Sequence, residues 1–240
     1  MSEPQIALVA EGVTDRIIVE AALRAILRRP FALALLQPEA TQPSFGGGWG
    51  GVLKWCDAFR TSEFASLEAD PRRAAFDLII VHLDADVADQ KYADCGAPAE
   101  KLAADAGFMA MPFSLPCPPA APTVARVESL VGSWLGLAAP GAKTIFCVPS
   151  KSTEAWLAAA LLHDKADLME DLECEFNVEG MLARLPKGQR VRKTAVQYQT
   201  VANAFTQAWA EHVCPRCPTA AVFESRVSAV IRKGPRIPVP

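Results

Sequence analysis

The sequence predicts an α/β fold: a mostly parallel sheet flanked by helices over residues 1–150, with a helical C-terminal lobe, residues 151–240, packed on it. Three observations carry this. Short apolar strand-like runs alternate with helical patterns through the first two-thirds of the chain, the signature of βα units. After Val148 the pattern is helical only. Two of the apolar runs end on acids, IALVA on Glu11-Gly12 and LIIVHL on Asp84-Ala85-Asp86.

Strands are expected near Ile6 to Ala10, Ala32 to Leu36, Leu78 to Leu83, Phe108 to Phe113 and Thr144 to Val148. The first helix is expected from Thr14 to Leu27, where Ile17, Ile18, Ala21, Ala22 and Ala25 form an apolar stripe. Thr14 fits an N-cap and places Asp15 in the first turn, where the helix dipole favours an acid. A second helix is expected to begin at Val52 and carry Trp55 and Phe59; a third spans Thr123 to Leu137. Between them, Gly46 to Gly51 reads as a connector or as a phosphate cradle of backbone amides, but its spacing is neither that of a P-loop nor of a dinucleotide fingerprint. Pro112 to Pro122 reads as a wandering loop bordering the site, because proline lacks an amide donor and restricts the residue before it. The later helices are expected at Thr153 to Leu162, Val178 to Arg184, Ala195 to His212 and Ala221 to Arg232, with an irregular tail from Gly234 to Pro240.

Composition narrows the function classes. With 51% apolar and 21% charged residues the chain reads as a globular protein rather than a disordered one. Apolar stretches break well before the roughly 20 residues that a bilayer-crossing helix requires. MSEPQ lacks a basic region and Glu11 interrupts the run that follows, so a cleaved leader is not expected and the predicted address is cytoplasmic. The seven cysteines are scattered without a framework pattern, so most are expected as thiols. Cys214 and Cys217 form a lone CxxC that reads as a terminal turn, or as zinc ligands if further donors such as Cys174 come near. A net charge of −3 excludes a globally basic surface, but Arg184, Lys187, Arg190, Arg192 and Lys193 form a local stripe, and Arg232, Lys233 and Arg236 a smaller one. Either is a solvated face or a phosphate contact.

The acids carry the chemistry. In an extended backbone Asp84 and Asp86 point the same way. If the first and third strands share one parallel sheet, Glu11 joins them at its C-terminal edge, where open α/β sheets place their sites. Oxygen ligands of this kind suit Mg²⁺ or Mn²⁺. Glu154, in the first turn after a further strand, opens on the same edge and serves either as an added acid or as an ordinary helix-dipole partner. Asp15 and Asp89 are weaker candidates, explained equally by helix-start and turn chemistry. His82, on the same strand face as Asp84, is a supporting contact or a core histidine. Lys193 is either a positive charge for a phosphate or one more solvated lysine.

Glu11-Gly12-x-Thr14-Asp15 after a strand, with Asp84-x-Asp86 ending a later one, resembles the TOPRIM domain of topoisomerases, primases and nucleases of the overcoming-lysogenization-defect type, over roughly Ile6 to Ile145. More narrowly, the chain looks like small standalone bacterial TOPRIM-like proteins, through Ser152 to Leu157, Lys193 and the Cys217 to Val227 ending. The resemblance implies a TOPRIM/Rossmann-like fold and a Mg²⁺ or Mn²⁺ site of Glu11, Asp84 and Asp86 supported by Glu154. Glu11 would also act in proton transfer, and Gly12 would turn the backbone beside the metal. Catalysis by Glu11 and Lys193, with Lys187, Arg190, Arg192 and Lys193 contacting nucleic acid, makes the expected activity a nuclease or related phosphoryl transfer on DNA or RNA, in phage or mobile-element defence. No Walker motif is present, so a separate ATPase partner is compatible. The alternatives are a non-catalytic metal- or partner-binding module and a small-molecule phosphatase.

Overall fold

Alternate residues of the strands enter two different apolar layers, which is why these runs are apolar throughout instead of alternating with polar residues. In the computed structural model, which describes residues 3–38, 45–165 and 171–233, four strands, β1 (Gln5–Val9), β2 (Ala32–Gln37), β3 (Leu78–His82) and β4 (Thr144–Cys147), form one parallel sheet in the order β2-β1-β3-β4. Ile6, Leu8, Leu78, Ile80, Ile145 and Cys147 face one layer. Ala7, Val9, Ile79, Val81, Phe146 and Val148 face the other.

The second layer is covered by α2 (Gly48–Arg60) and α4 (Ala121–Leu135), through Val52, Leu53, Trp55, Val127, Leu130 and Trp134. The first is covered by α1 (Val13–Leu27), α5 (Thr153–Leu161), α7 (Ala195–Ala208) and α9 (Pro218–Lys233). Helices from residues 151–240 therefore share one apolar layer with α1, and α7 lies directly on α1. Helix α5 is buried along nearly its whole length, so Ala, Leu and Trp occupy every side of it. The free edge of β4 is closed by Arg226, whose Nη1 donates to the Phe146 carbonyl at 3.0 Å while the guanidinium pairs with Glu128.

Several expectations are corrected. Phe108 to Phe113 is not a strand: Phe113 N–H donates to the Ala88 carbonyl, Met109 accepts from the Tyr92 hydroxyl, and the apolar side chains pack over the α2/α4 layer. The helix α3 (Ala97–Ala106) precedes it, and α6 (Val178–Arg184) lies where expected. Helix α2 begins at Gly48, inside the glycine run, and a Cβ on Gly51 would come within 2.6 Å of Gln37 Nε2 and the Gly46 carbonyl. That run is therefore a close-packed helix start rather than a connector. Helix α7 stops at Ala208 and continues as a π-helical turn, Trp209–Val213, before the single turn α8 (Cys214–Arg216). The N-cap of α1 is Gly12, not Thr14. The expected tail from Gly234 onward, with Arg236, lies outside the described residues.

Cys117 and Cys174 form a disulfide, while Cys56, Cys95, Cys147, Cys214 and Cys217 are thiols. Cys174 is thereby removed as a zinc ligand. The Cys214 thiol faces Glu224 Oε2 at 3.2 Å and the Cys217 thiol faces the Ala155 carbonyl at 3.9 Å. No helix among the described residues is long and apolar enough to cross a membrane.

Candidate metal centre

The chain order creates the site. From β1 the connection runs through α1 to β2 on one side, and β3 lies on the other, so the sheet's switch point falls between the C-terminal ends of β1 and β3. Glu11 leaves β1 there and Asp84 leaves β3. The Asp84 backbone N–H donates to Glu11 Oε1 at 2.8 Å, which locks the two ends together. Helix α2 reinforces this, because Gly48 N–H donates to the Glu11 carbonyl at 2.8 Å. Gly12 is extended (φ −157°), so it makes no special turn; its lack of a side chain matters because a Cβ would sit 3.3 Å from Asp15 Oδ2.

Strand β3 ends at His82 and a 3-10 turn, Ala85–Asp89, begins directly after Asp84. The two-residue alternation therefore holds for His82 and Asp84 but not for Asp84 and Asp86. One ligand atom each from Glu11, His82 and Asp84 lie within 4.8 Å of one another. Asp86 is outside that group, and its residue keeps exposed surface. His82 is fully buried; its Nε2 lies 3.3 Å from Asp84 Oδ1, and neither ring nitrogen has a hydrogen-bond partner.

A second cluster comes from α5 and the segment entering α7. Glu154, 1% exposed, has its Oε1 3.0 Å from Lys193 Nζ and accepts a 2.5 Å hydrogen bond from the Tyr198 hydroxyl, while Oε2 is buried without a partner. Thr153 joins the two clusters: its N–H donates to Asp84 Oδ1 at 3.2 Å and its hydroxyl to Asp15 Oδ1 at 3.1 Å. Asp15, a helix-start residue in the sequence, is thus part of the centre. Asp89 is not; it pairs with Lys151, whose ammonium also lies over the Phe176 ring. Lys187, Arg190 and Arg192 are exposed, and of the expected basic set only Lys193 reaches the acids. Tyr198 and Thr153 were not expected, because nothing in the sequence says which helix covers the centre.

The electrostatics divide the acids. Loss of solvent, reinforced by the charge of Asp84, pushes Glu11 up to about 8. Burial, then the charges of Asp15, Glu154 and Asp86, raises Asp84 well above the usual carboxylate range. Burial also lifts Asp86 to about 6, against the pull of Lys193. For Glu154 burial pulls upward too, but Lys193 and the Tyr198 hydroxyl outweigh it and hold the carboxyl below its ordinary value. Lys193 is raised in turn: burial disfavours its charge, but Glu154 more than compensates.

These residues fit a divalent cation. Ligand atoms around an octahedral ion of the Mg²⁺ class stand roughly 3–4.2 Å apart, so small side-chain rotations suffice for the Glu11–His82–Asp84 group. Crowded carboxylates pushed toward protonation, with an unpartnered imidazole beside them, are a donor set short of a positive charge. Comparison with family models, curated proteins and solved structures returns no match.

Proposed function

We propose that this chain is a divalent-metal-dependent nuclease, or a related phosphoryl-transfer enzyme acting on nucleic acid, built on a TOPRIM-like α/β domain. The observation that carries the reading is the Glu11–Asp84 pair at the switch point, with the Lys193 ammonium reaching the same edge through Glu154. Glu11 and Asp84 would hold the cation. Such an ion neutralises a phosphodiester and lowers the pKa of an attacking water. Within the chain, the Asp84 N–H fixes Glu11 Oε1, leaving Oε2 for the cation or, when none is bound, for a proton. Thr153 fixes Asp84 Oδ1. Lys193, partly exposed, offers its charge to a phosphate at the rim, and Tyr198 holds the Glu154 anchor beneath it.

The test is cleavage of supercoiled and linear DNA, single-stranded DNA and RNA with Mg²⁺ or Mn²⁺, comparing wild type with a Glu11→Gln, Asp84→Asn double variant. Metal-dependent cutting by the wild type, lost in a variant with an unchanged circular dichroism spectrum, supports the reading. Absence of cutting by folded wild type, together with turnover of nitrophenyl phosphate, would move the activity to small phosphate esters.

A further inference from the structure

In the sequence pattern the natural third ligand is Asp86, two residues from Asp84. The backbone does otherwise, because the 3-10 turn after Asp84 turns Asp86 out of the strand's alternation while His82, inside β3, keeps the same face as Asp84. His82 is 0% exposed, and both its ring nitrogens are without hydrogen-bond partners. A buried polar group left unsatisfied is costly, so such a ring calls for a partner. Its Nε2 lies 3.3 Å from Asp84 Oδ1 without the alignment of a hydrogen bond, and one of the two ring nitrogens falls within the same 4.8 Å group as Glu11 and Asp84.

We infer that His82 Nε2 is a direct ligand of the cation, completing a Glu11–His82–Asp84 set, and that Asp86 stands outside this set beside Lys193. The inference rests on the reading of this edge as a divalent-metal site. Two oxygens and one imidazole nitrogen form a softer set than three carboxylates. Mg²⁺ takes oxygen almost exclusively, whereas first-row transition cations accept imidazole. The chain therefore prefers Mn²⁺ or another such cation over Mg²⁺, and His82 sets that preference. No other His, Cys or acid cluster among the described residues has ligand spacing. His163 and His212 stack face to face with ring centroids 4.0 Å apart, which directs their lone pairs side by side rather than toward a common ion.

The experiment is spin-echo spectroscopy of the full chain loaded with one equivalent of Mn²⁺, with calorimetric titration of Mn²⁺ and Mg²⁺. Nitrogen modulation from a coordinated imidazole is expected in the wild type, in Asp86→Asn and in a His163→Gln, His212→Gln control. Mn²⁺ affinity should exceed that for Mg²⁺ by at least about 10-fold, and His82→Gln should lose the modulation and most of that ratio. Because His82 is buried and its variant could unfold, the wild-type spectrum decides without it. Bound Mn²⁺ lacking nitrogen modulation would overturn the inference and leave the metal reading standing. No Mn²⁺ binding by folded wild type would overturn both.

Discussion

Glu11 and Glu154 are the same residue type on the same edge of the same sheet, yet they are driven in opposite directions. Glu11 is pushed up to about 8 by lost solvent and by Asp84, whereas Glu154 is held below its ordinary value by Lys193 and Tyr198. Burial pushes both carboxyls upward, so burial alone does not send them in opposite directions. The difference is the supply of positive charge: Lys193 pairs with Glu154, whereas among the described residues no ammonium or guanidinium pairs with Glu11. One cluster is finished by folding; on the proposed function, the other is finished only by a bound cation.

The largest effect should come from turning the finished cluster into the unfinished one. Lys193→Met strands the Glu154 carboxylate. Breaking a buried pair costs roughly 3–5 kcal/mol, reduced here because the lysine is 36% exposed. A loss of about 2 kcal/mol in urea unfolding is expected and, on the proposed function, a fall of about 100-fold in metal-dependent turnover. An unchanged midpoint would show that Lys193 contributes nothing to fixing Glu154.

Next comes the pH dependence of the metal-free protein. Because the folded Glu11 carboxyl lies above its unfolded value, its contribution to stability is full below pH 4.5 and is lost as pH rises through about 8. The thermal midpoint without metal should fall across that window, Glu11→Gln should flatten the fall, and Mn²⁺ should reverse it. Cation binding displaces the Glu11 proton, so affinity should rise with pH over the same range. Calorimetry in buffers of different ionisation heat measures the released proton directly.

Tyr198→Phe removes one hydrogen bond to a charged acceptor, worth about 1–2 kcal/mol. Glu154 has a depressed value, so its contribution is present above its ordinary pKa and lost as pH falls. The wild-type advantage over Tyr198→Phe should therefore shrink in acid melts below pH 4.5. The smallest effect belongs to Arg190 and Arg192, both exposed. Alanine at either should change stability by less than about 0.5 kcal/mol. If they contact phosphate, each substitution lowers the salt slope of nucleic-acid binding by about one.

Much of this was legible in sequence because it is local. Four of the five expected strands follow from runs that carry their own signal, and the structure brings Glu11, Asp84, Glu154 and Lys193 to one edge of the sheet. The misplaced strand at Phe108 to Phe113 shows the limit: an apolar run says that side chains are buried, not that the backbone pairs. Asp86 lies outside the Glu11–His82–Asp84 group for a similar reason, since β3 stops at His82 and a 3-10 turn follows Asp84. The sequence assigns no role to Tyr198 or Thr153. Each acts through partners in distant segments, Tyr198 of α7 on Glu154 of α5 and Thr153 of α5 on Asp15 and Asp84, and that is a property of packing. The Cys117–Cys174 pairing belongs to the same class.

The hydroxyl bond from Thr153 to Asp15 spans 138 residues, and the one from Tyr198 to Glu154 draws on a still later stretch of chain. Synthesis at about 5–20 residues per second means that the N-terminal acids exist for many seconds before their stabilising partners are made. During that interval Glu11 and Asp84 stand without Thr153, Lys193 or Tyr198 to hold their surroundings. On the ribosome the centre is therefore a late event, and a chain halted before Tyr198 would carry every expected acid without the setting that distinguishes one from another.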